Sequence, residues 1–299
     1  MVERTQLASG LEISRILTGL WQIADMEREG NFMNPEEGAL EMRRYVDAGL
    51  TTFDMADHYG TSELIAGQYE ADWPGSGELL TKWVPKPGIV AREKTRAAVE
   101  LALERMDREQ IDLLQFHAWS YSDPGWLDCM FCLQELKEEG LIQHLGLTNT
   151  DAAHVAMLLN SGVDVVSNQV CYSLLDQRAS SAMTDLCLQY DIKLLAFGTL
   201  AGGFLTEQWL GVPEPDCQSL QTWSQMKYKR FIDAAGGWDK FQALLAVLER
   251  VARRFEVSVA NVASRVILDA PAVAGVIIGA RLGKREHIED NLRLFDFEL

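Results

Sequence analysis

Apolar runs of strand length punctuate this chain, ending near Leu20, Asp54, Lys82, His117, Leu147, Gln169, Phe197 and Gly279. A strand covered on both faces reads as a short, nearly continuous apolar stretch, so these eight runs predict buried parallel strands. The segments between them carry the helical period. Asn34-Pro35-Glu36-Glu37 opens the first, with Asn34 placed to cap, Pro35 suited to the first turn, and Ala39, Leu40, Met42 and Val46 as the apolar face. Further helices are expected over 93–106, 123–139, 151–159 and 175–189.

Strict alternation of strand and helix argues for a parallel sheet. An open doubly wound sheet would carry a glycine-rich phosphate loop after its first strand, and no Gly-x-Gly-x-x-Gly follows Leu20. The expected architecture is therefore α/β, a (β/α)8 TIM barrel in which residues 1–299 form a single domain. Residues 1–15 predict a hairpin turning near Gly10, accessory to the barrel. After the seventh strand, residues 206–239 break the period and read as an insertion that contains a helix and closes at Gly236-Gly237. Its aromatic residues, Trp209, Trp223, Tyr228, Phe231 and Trp238, suit either a satellite hydrophobic cluster or a wall or lid for a pocket.

Composition is globular, with 47% apolar and 24% charged residues. A balance of 27 basic against 44 acidic residues gives a net charge of −17, a field that repels phosphate backbones and anionic lipid surfaces. Neither nucleic acid nor a membrane is an expected partner. A phosphate-bearing ligand would need a local basic cluster, and Arg281, Lys284 and Arg285 supply one directly after the last strand. Cys129, Cys132, Cys171, Cys187 and Cys217 are odd in number and lack the spacing of a disulfide framework or a zinc site; Cys129 and Cys132 fall on an amphipathic helix pattern. Charges stand where a secretion signal would need its apolar segment, and the longest apolar stretch, 272–280, is far short of the roughly 20 residues that cross a bilayer. A cytoplasmic protein is expected.

Three of the early runs end in an ionisable side chain: Asp54, Lys82 and His117, with Tyr59 in the turn that follows Asp54. In a barrel the carboxyl ends of neighbouring strands converge on one face, so these four would meet in one pocket. Reducing a carbonyl by hydride needs a proton donor at the oxygen where negative charge develops. A phenol titrates near 10, but an ammonium about 4 Å away contributes on the order of 4 kcal/mol at an effective dielectric of 20. Lys82 is thus expected to lower the pKa of Tyr59 against the opposing effect of burial, with Asp54 keeping Lys82 charged and aimed. His117 would orient the carbonyl or share in the proton relay, and His58 is read as structural.

The motif Asp-x-Ala-x-x-Tyr-Gly at 54–60, together with these strand ends, resembles the aldo-keto reductase family over nearly the whole chain. The resemblance implies NADPH-dependent reduction of an aldehyde or ketone, with Asp54, Tyr59, Lys82 and His117 as the catalytic tetrad and Tyr59 as the acid. It implies that Thr148, Asn149 and Gln169 hold the nicotinamide carboxamide, that Phe197 stacks on its ring, and that Gly198, Leu200 and Gly203 approach the pyrophosphate. Gly279, Arg281, Asp290 and Asn291 fall where the family binds the adenosine and its 2′-phosphate, which favours NADP(H). Trp21, Met26, Met55, Trp83 and Trp119 are candidate walls of the substrate pocket, and Trp126 a core residue. Two other classes remain: a cofactor-binding regulatory protein with little turnover, and a metal-dependent hydrolase using Asp54, His58 and His117, for which the remaining histidines are poorly spaced. No metal is expected.

Overall fold

The computed structural model describes residues 2–28, 30–88, 90–122, 124–216, 220, 222–284 and 286–299. Strands β1 (Arg4–Ala8) and β2 (Leu11–Ser14) pair antiparallel as the expected hairpin, turning through Gly10 at a φ of 77° that glycine adopts without strain. Then come β3 (Ile16–Gly19), β4 (Thr52–Asp54), β5 (Glu78–Trp83), β6 (Ile111–Phe116), β7 (Ile142–Thr148), β8 (Val165–Cys171), β9 (Lys193–Phe197) and β10 (Val273–Gly279). They pair in parallel in chain order, and β10 closes the ring against β3. The fold is a (β/α)8 barrel.

Leu7, Leu11 and Ile13 of the hairpin pack with Leu17, Leu80, Leu113, Leu195 and Ile277 from inside the barrel. Apolar side chains therefore fill the end where the strands begin. Asp54, Lys82, Gln115, Thr148 and Gln169 lie toward the other end, where barrels of this architecture carry their chemistry.

Around the ring lie α1 (Trp21–Arg28), α2 (Pro35–Asp47), α3 (Ser62–Asp72), α4 (Arg92–Met106), α5 (Gly125–Glu138), α6 (Ala152–Asn160), α7 (Ala182–Tyr190), α8 (Trp223–Ala234), α9 (Trp238–Phe255), α10 (Val259–Leu268) and the short α11 (Ile288–Leu292). Asn34 caps α2 as expected, its side chain accepting from the Glu36 N–H at 2.9 Å. Ala39, Met42 and Tyr45 form the buried face, while Leu40 points to solvent with 59% of its surface exposed, because one residue along a helix turns the side chain by about 100°.

The helix expected over 175–189 begins only at Ala182. Ser173 Oγ accepts from the N–H groups of Leu175 and Asp176, and Asp176 binds the Arg178 guanidinium, so local side-chain bonds hold this stretch in a loop and a 3-10 turn. The helix expected to open at 123 begins at Gly125, and residue 123 lies outside the described residues. Cys217 and Arg285 also lie outside them. Cys129 and Cys132 are buried on α5.

Between β9 and β10 the chain forms α8 before the long α9, with the break at Gly236 and Gly237, whose φ values are 115° and 88°. Tyr228 and Trp238, with Trp209 and Phe231 against them, join a second hydrophobic cluster built on Phe204 and Phe241. Trp223 stays outside it, with 65% of its surface exposed.

Candidate active site

Strand register decides which side chains share the open end of the barrel. Lys82 on β5 lies directly beside Gln115 on β6, and Thr148 on β7 beside Gln169 on β8. Asp54 ends β4, and the turn after it is fastened to β5 by Met55 N–H to Leu80 O and Asp57 N–H to Lys82 O at 2.8 and 2.9 Å. That fastening brings Tyr59 over Lys82.

Lys82 Nζ donates to Asp54 Oδ2 at 2.6 Å and to the Met55 carbonyl at 2.9 Å, with both charged side chains almost wholly buried. The same nitrogen lies 4.9 Å from the centroid of the Tyr59 ring. Trp21 and His58 box that ring edge-on, at centroid distances of 5.0 and 4.9 Å. His58 Nδ1 is bound to Asp57 Oδ1 at 2.7 Å, and Asp57 Oδ2 accepts from the Val84 N–H, so His58 braces the wall beside Tyr59.

The electrostatics depart from the expectation in one respect. Burial raises the pKa of the Tyr59 phenol well above 10, and the carboxylates of Asp54 and Asp57 push it the same way. The predicted lowering by Lys82 does not prevail. Lys82 is itself buried, and desolvation lowers its pKa despite the opposing pull of Asp54. His117 is pushed down to about 4, by burial first and then by the Lys82 cation, so it is a neutral imidazole at pH 7. Its ring lies 5.0 Å from that of Trp119, which is exposed.

At the later strand ends, Thr148 Oγ1 is buried and, among the described residues, has no hydrogen-bond partner. Asn149 adopts a left-handed φ of 54°, and its N–H donates to the Gln169 carbonyl at 2.8 Å. Gln169 Nε2 donates to Asp54 Oδ1 at 2.7 Å and to Gln115 Oε1 at 2.8 Å, while Gln115 Nε2 donates to Asp54 Oδ1 at 3.1 Å. Gln115 was missed in the sequence because it sits inside an apolar run rather than at its end.

Phe197 is half-buried, with the Lys227 ammonium of α8 at 4.9 Å from its ring centroid. Lys227 is another residue that sequence reasoning passed over. Gly198 and Gly203 have φ values of 77° and 90°, and half-buried Leu200 lies between them. A Cβ at Gly198 would come 2.2 Å from the Tyr228 hydroxyl, so α8 is pressed onto this loop.

A side chain at Gly279 would strike the Gln22 amide at 2.6 Å. Arg281 is half-buried and, among the described residues, forms no ion pair. Asp290 accepts from Ser258 Oγ at 3.0 Å and Asn261 Nδ2 at 3.2 Å, tying α11 to the start of α10, and Asn291 is half-buried beside it. Of the substrate-wall candidates, Trp21 and Trp119 reach the open mouth, whereas Met26, Met55 and Trp83 pack in the core, as does Trp126.

Among the described residues, no three His, Cys, Asp or Glu side chains are grouped to hold a metal ion. Asp54 is instead committed to Lys82, Gln115 and Gln169. Nor, among the described residues, is any helix long and apolar enough to cross a membrane.

Comparison with known proteins agrees with this fold. The chain is 30% identical to the uncharacterized oxidoreductase YcsN of Bacillus subtilis, over 68% of this chain and 72% of that protein. It is 29% identical to flagellar radial spoke protein 5 of Chlamydomonas reinhardtii over 66% of this chain, and the match takes in only 44% of that protein's length. Among solved structures, the glycerol dehydrogenase AKR11B4 of Gluconobacter oxydans shares the fold with a TM-score of 0.78 at 23% identity, covering 97% of this chain and 89% of that one. The sequence model of the Aldo/keto reductase family matches residues 15–299. By that match, this chain belongs to the aldo/keto reductase family.

Proposed function

We propose that this protein reduces an aldehyde or ketone to an alcohol with NADPH, and that Tyr59 supplies the proton. The observation that carries the reading is the buried Lys82–Asp54 pair, 2.6 Å apart, with the Lys82 ammonium lying 4.9 Å from the centre of the Tyr59 ring at the barrel's open end.

The residues present fit a nicotinamide cofactor. Thr148 offers a buried hydroxyl with no hydrogen-bond partner among the described residues, a group whose desolvation is offset when a bound amide reaches it. Both protons of Gln169 Nε2 are directed at Asp54 and Gln115, which leaves Oε1 to accept from a carboxamide. Half-buried Phe197 supplies an aromatic ring of the kind that stacks on nicotinamide, and Gly198 and Gly203 let the backbone approach closely. The bound cofactor supplies the hydride. Arg281 after β10, which forms no ion pair among the described residues, favours a 2′-phosphate, hence NADPH over NADH.

The raised pKa of Tyr59 bears on how the acid works. The phenol is fully protonated at neutral pH, so the donor is always loaded. A carbonyl oxygen that gains negative charge is far more basic than a phenolate, so the proton leaves Tyr59 only as that charge develops. Lys82 then faces the nascent phenolate, and Asp54 holds it in place. His117, neutral near pH 7, donates a hydrogen bond to the carbonyl oxygen and orients it without adding a charge.

The test is absorbance of NADPH and NADH during turnover of a panel of small aldehydes and ketones, comparing wild type with Tyr59→Phe. Wild type should consume NADPH faster than NADH, and Tyr59→Phe should lose about 10²-fold or more in kcat. Full activity in the variant would remove Tyr59 from the mechanism, and Arg281→Ala with unchanged preference would remove Arg281 from cofactor selection.

A further inference from the structure

Gln115 lies between the two halves of the site. It is fully buried on β6, with Lys82 as its strand neighbour on one side and Gly146 on the other. Gly146 makes room for it: a Cβ there would come 2.6 Å from Ser167 Oγ and 3.2 Å from Gln115 Cγ. Its Nε2 donates to Asp54 Oδ1, and its Oε1 accepts from Gln169 Nε2. Gln169 Nε2 reaches the same Asp54 oxygen, so the three side chains close a triangle of hydrogen bonds at 2.7, 2.8 and 3.1 Å.

The triangle fixes directions. Asp54 as a carboxylate only accepts, so both amides must turn a nitrogen toward it. With its nitrogen turned to Asp54, Gln115 faces Gln169 with its oxygen, which takes the second Gln169 Nε2 proton. With both protons occupied, the Gln169 amide is held as a pure acceptor toward the bound ligand.

We propose that Gln115 is a positioning residue, which locks the Gln169 amide with Oε1 free to accept from the carboxamide of a nicotinamide cofactor, and ties that anchor to the Asp54–Lys82 pair. The inference rests on the reading given under Proposed function. Gln115 touches neither substrate nor cofactor; it acts through Gln169 and Asp54.

The experiment is a fluorescence titration of NADPH and of 2′,5′-ADP, which lacks the nicotinamide, across pH 5–9. Wild type, Gln115→Leu and Gln115→Glu are compared, with thermal unfolding as a folding check. Gln115→Leu should weaken NADPH about tenfold at every pH and leave 2′,5′-ADP unchanged. Gln115→Glu, when protonated, donates and accepts as the amide does, so it should bind NADPH like wild type at the acid end. It should lose affinity as pH rises and its carboxylate opposes Asp54. Unchanged NADPH affinity in Gln115→Leu, equal loss of both ligands, or a Gln115→Glu response independent of pH overturns the inference alone. Wild type that does not bind NADPH overturns the proposed function and this inference with it.

Discussion

Two residues in the site, His117 and Lys82, have pKa values that burial lowers, and each makes a measurement predictable. His117 falls from the ordinary 6.5 to about 4, because burial and the Lys82 cation both disfavour the imidazolium. Its folded pKa is depressed, so its neutral form contributes stability that is complete above about pH 6.5 and lost as pH falls toward 4. In urea unfolding followed from pH 7 to 4, His117→Gln should therefore gain on wild type as acid is added; a constant difference would show that His117 is not held neutral. Lys82 is lowered by burial, so kcat should fall on the alkaline side at a pH below 10.5, as the ammonium is lost. Removing that charge outright leaves Asp54 buried without a cation, and Lys82→Met should cost about 3–5 kcal/mol, much of it recovered in Lys82→Met with Asp54→Asn. A double variant no more stable than the single one, by chemical denaturation, would contradict the pairing. The meeting of Asp54, Lys82 and Tyr59 was legible in the sequence because an ionisable residue at the end of an apolar run is conspicuous and Tyr59 lies in the turn that follows one. Gln115 was not, since an amide within such a run looks like strand filler until the register sets it beside Lys82.

Among the elements, the strands follow from their apolar runs and α2, α4, α5 and α6 from helical period, and the misreadings have local causes. Leu40 shares a helix with the core but not its face, and the stretch before α7 is held out of a helix by the side chains of Ser173 and Asp176. The pose of α8 depends on contacts far apart in the chain and left no trace in the pattern. Tyr228 presses against Gly198 and Gly202, and a Cβ at either glycine would come within 3.0 Å of the tyrosine ring or its hydroxyl. Gly198→Ala adds a side chain both at a φ of 77° and into that contact, so it should destabilise by more than the roughly 1 kcal/mol of backbone strain alone. Adding Tyr228→Phe, which removes the atom at 2.2 Å, should restore part of the loss in thermal unfolding. No recovery would mean that α8 does not rest on the loop.

Across the whole molecule, the barrel separates what holds it together from what it does. At the end where the strands begin, Ile13 is fully buried and brings the hairpin's apolar face onto Leu17, Leu80 and Leu113. At the other end, a lysine, a carboxylate and two amides bind one another in the interior, an arrangement that is costly to bury and is supported by the packed strands around it. The two layers share strands but few side chains, so perturbing one should leave the other nearly intact. Ile13→Ala should lower unfolding stability by about 2–5 kcal/mol through the cavity it leaves, while kcat at a temperature where the variant remains folded stays within about twofold of wild type. Tyr59→Phe should do the reverse, losing turnover with a change in stability of less than about 1 kcal/mol. Urea unfolding and carbonyl reduction measured on the same two preparations decide the matter. If Ile13→Ala lost activity in proportion to its stability, the hairpin would be coupled to the catalytic end rather than serving as the floor beneath it.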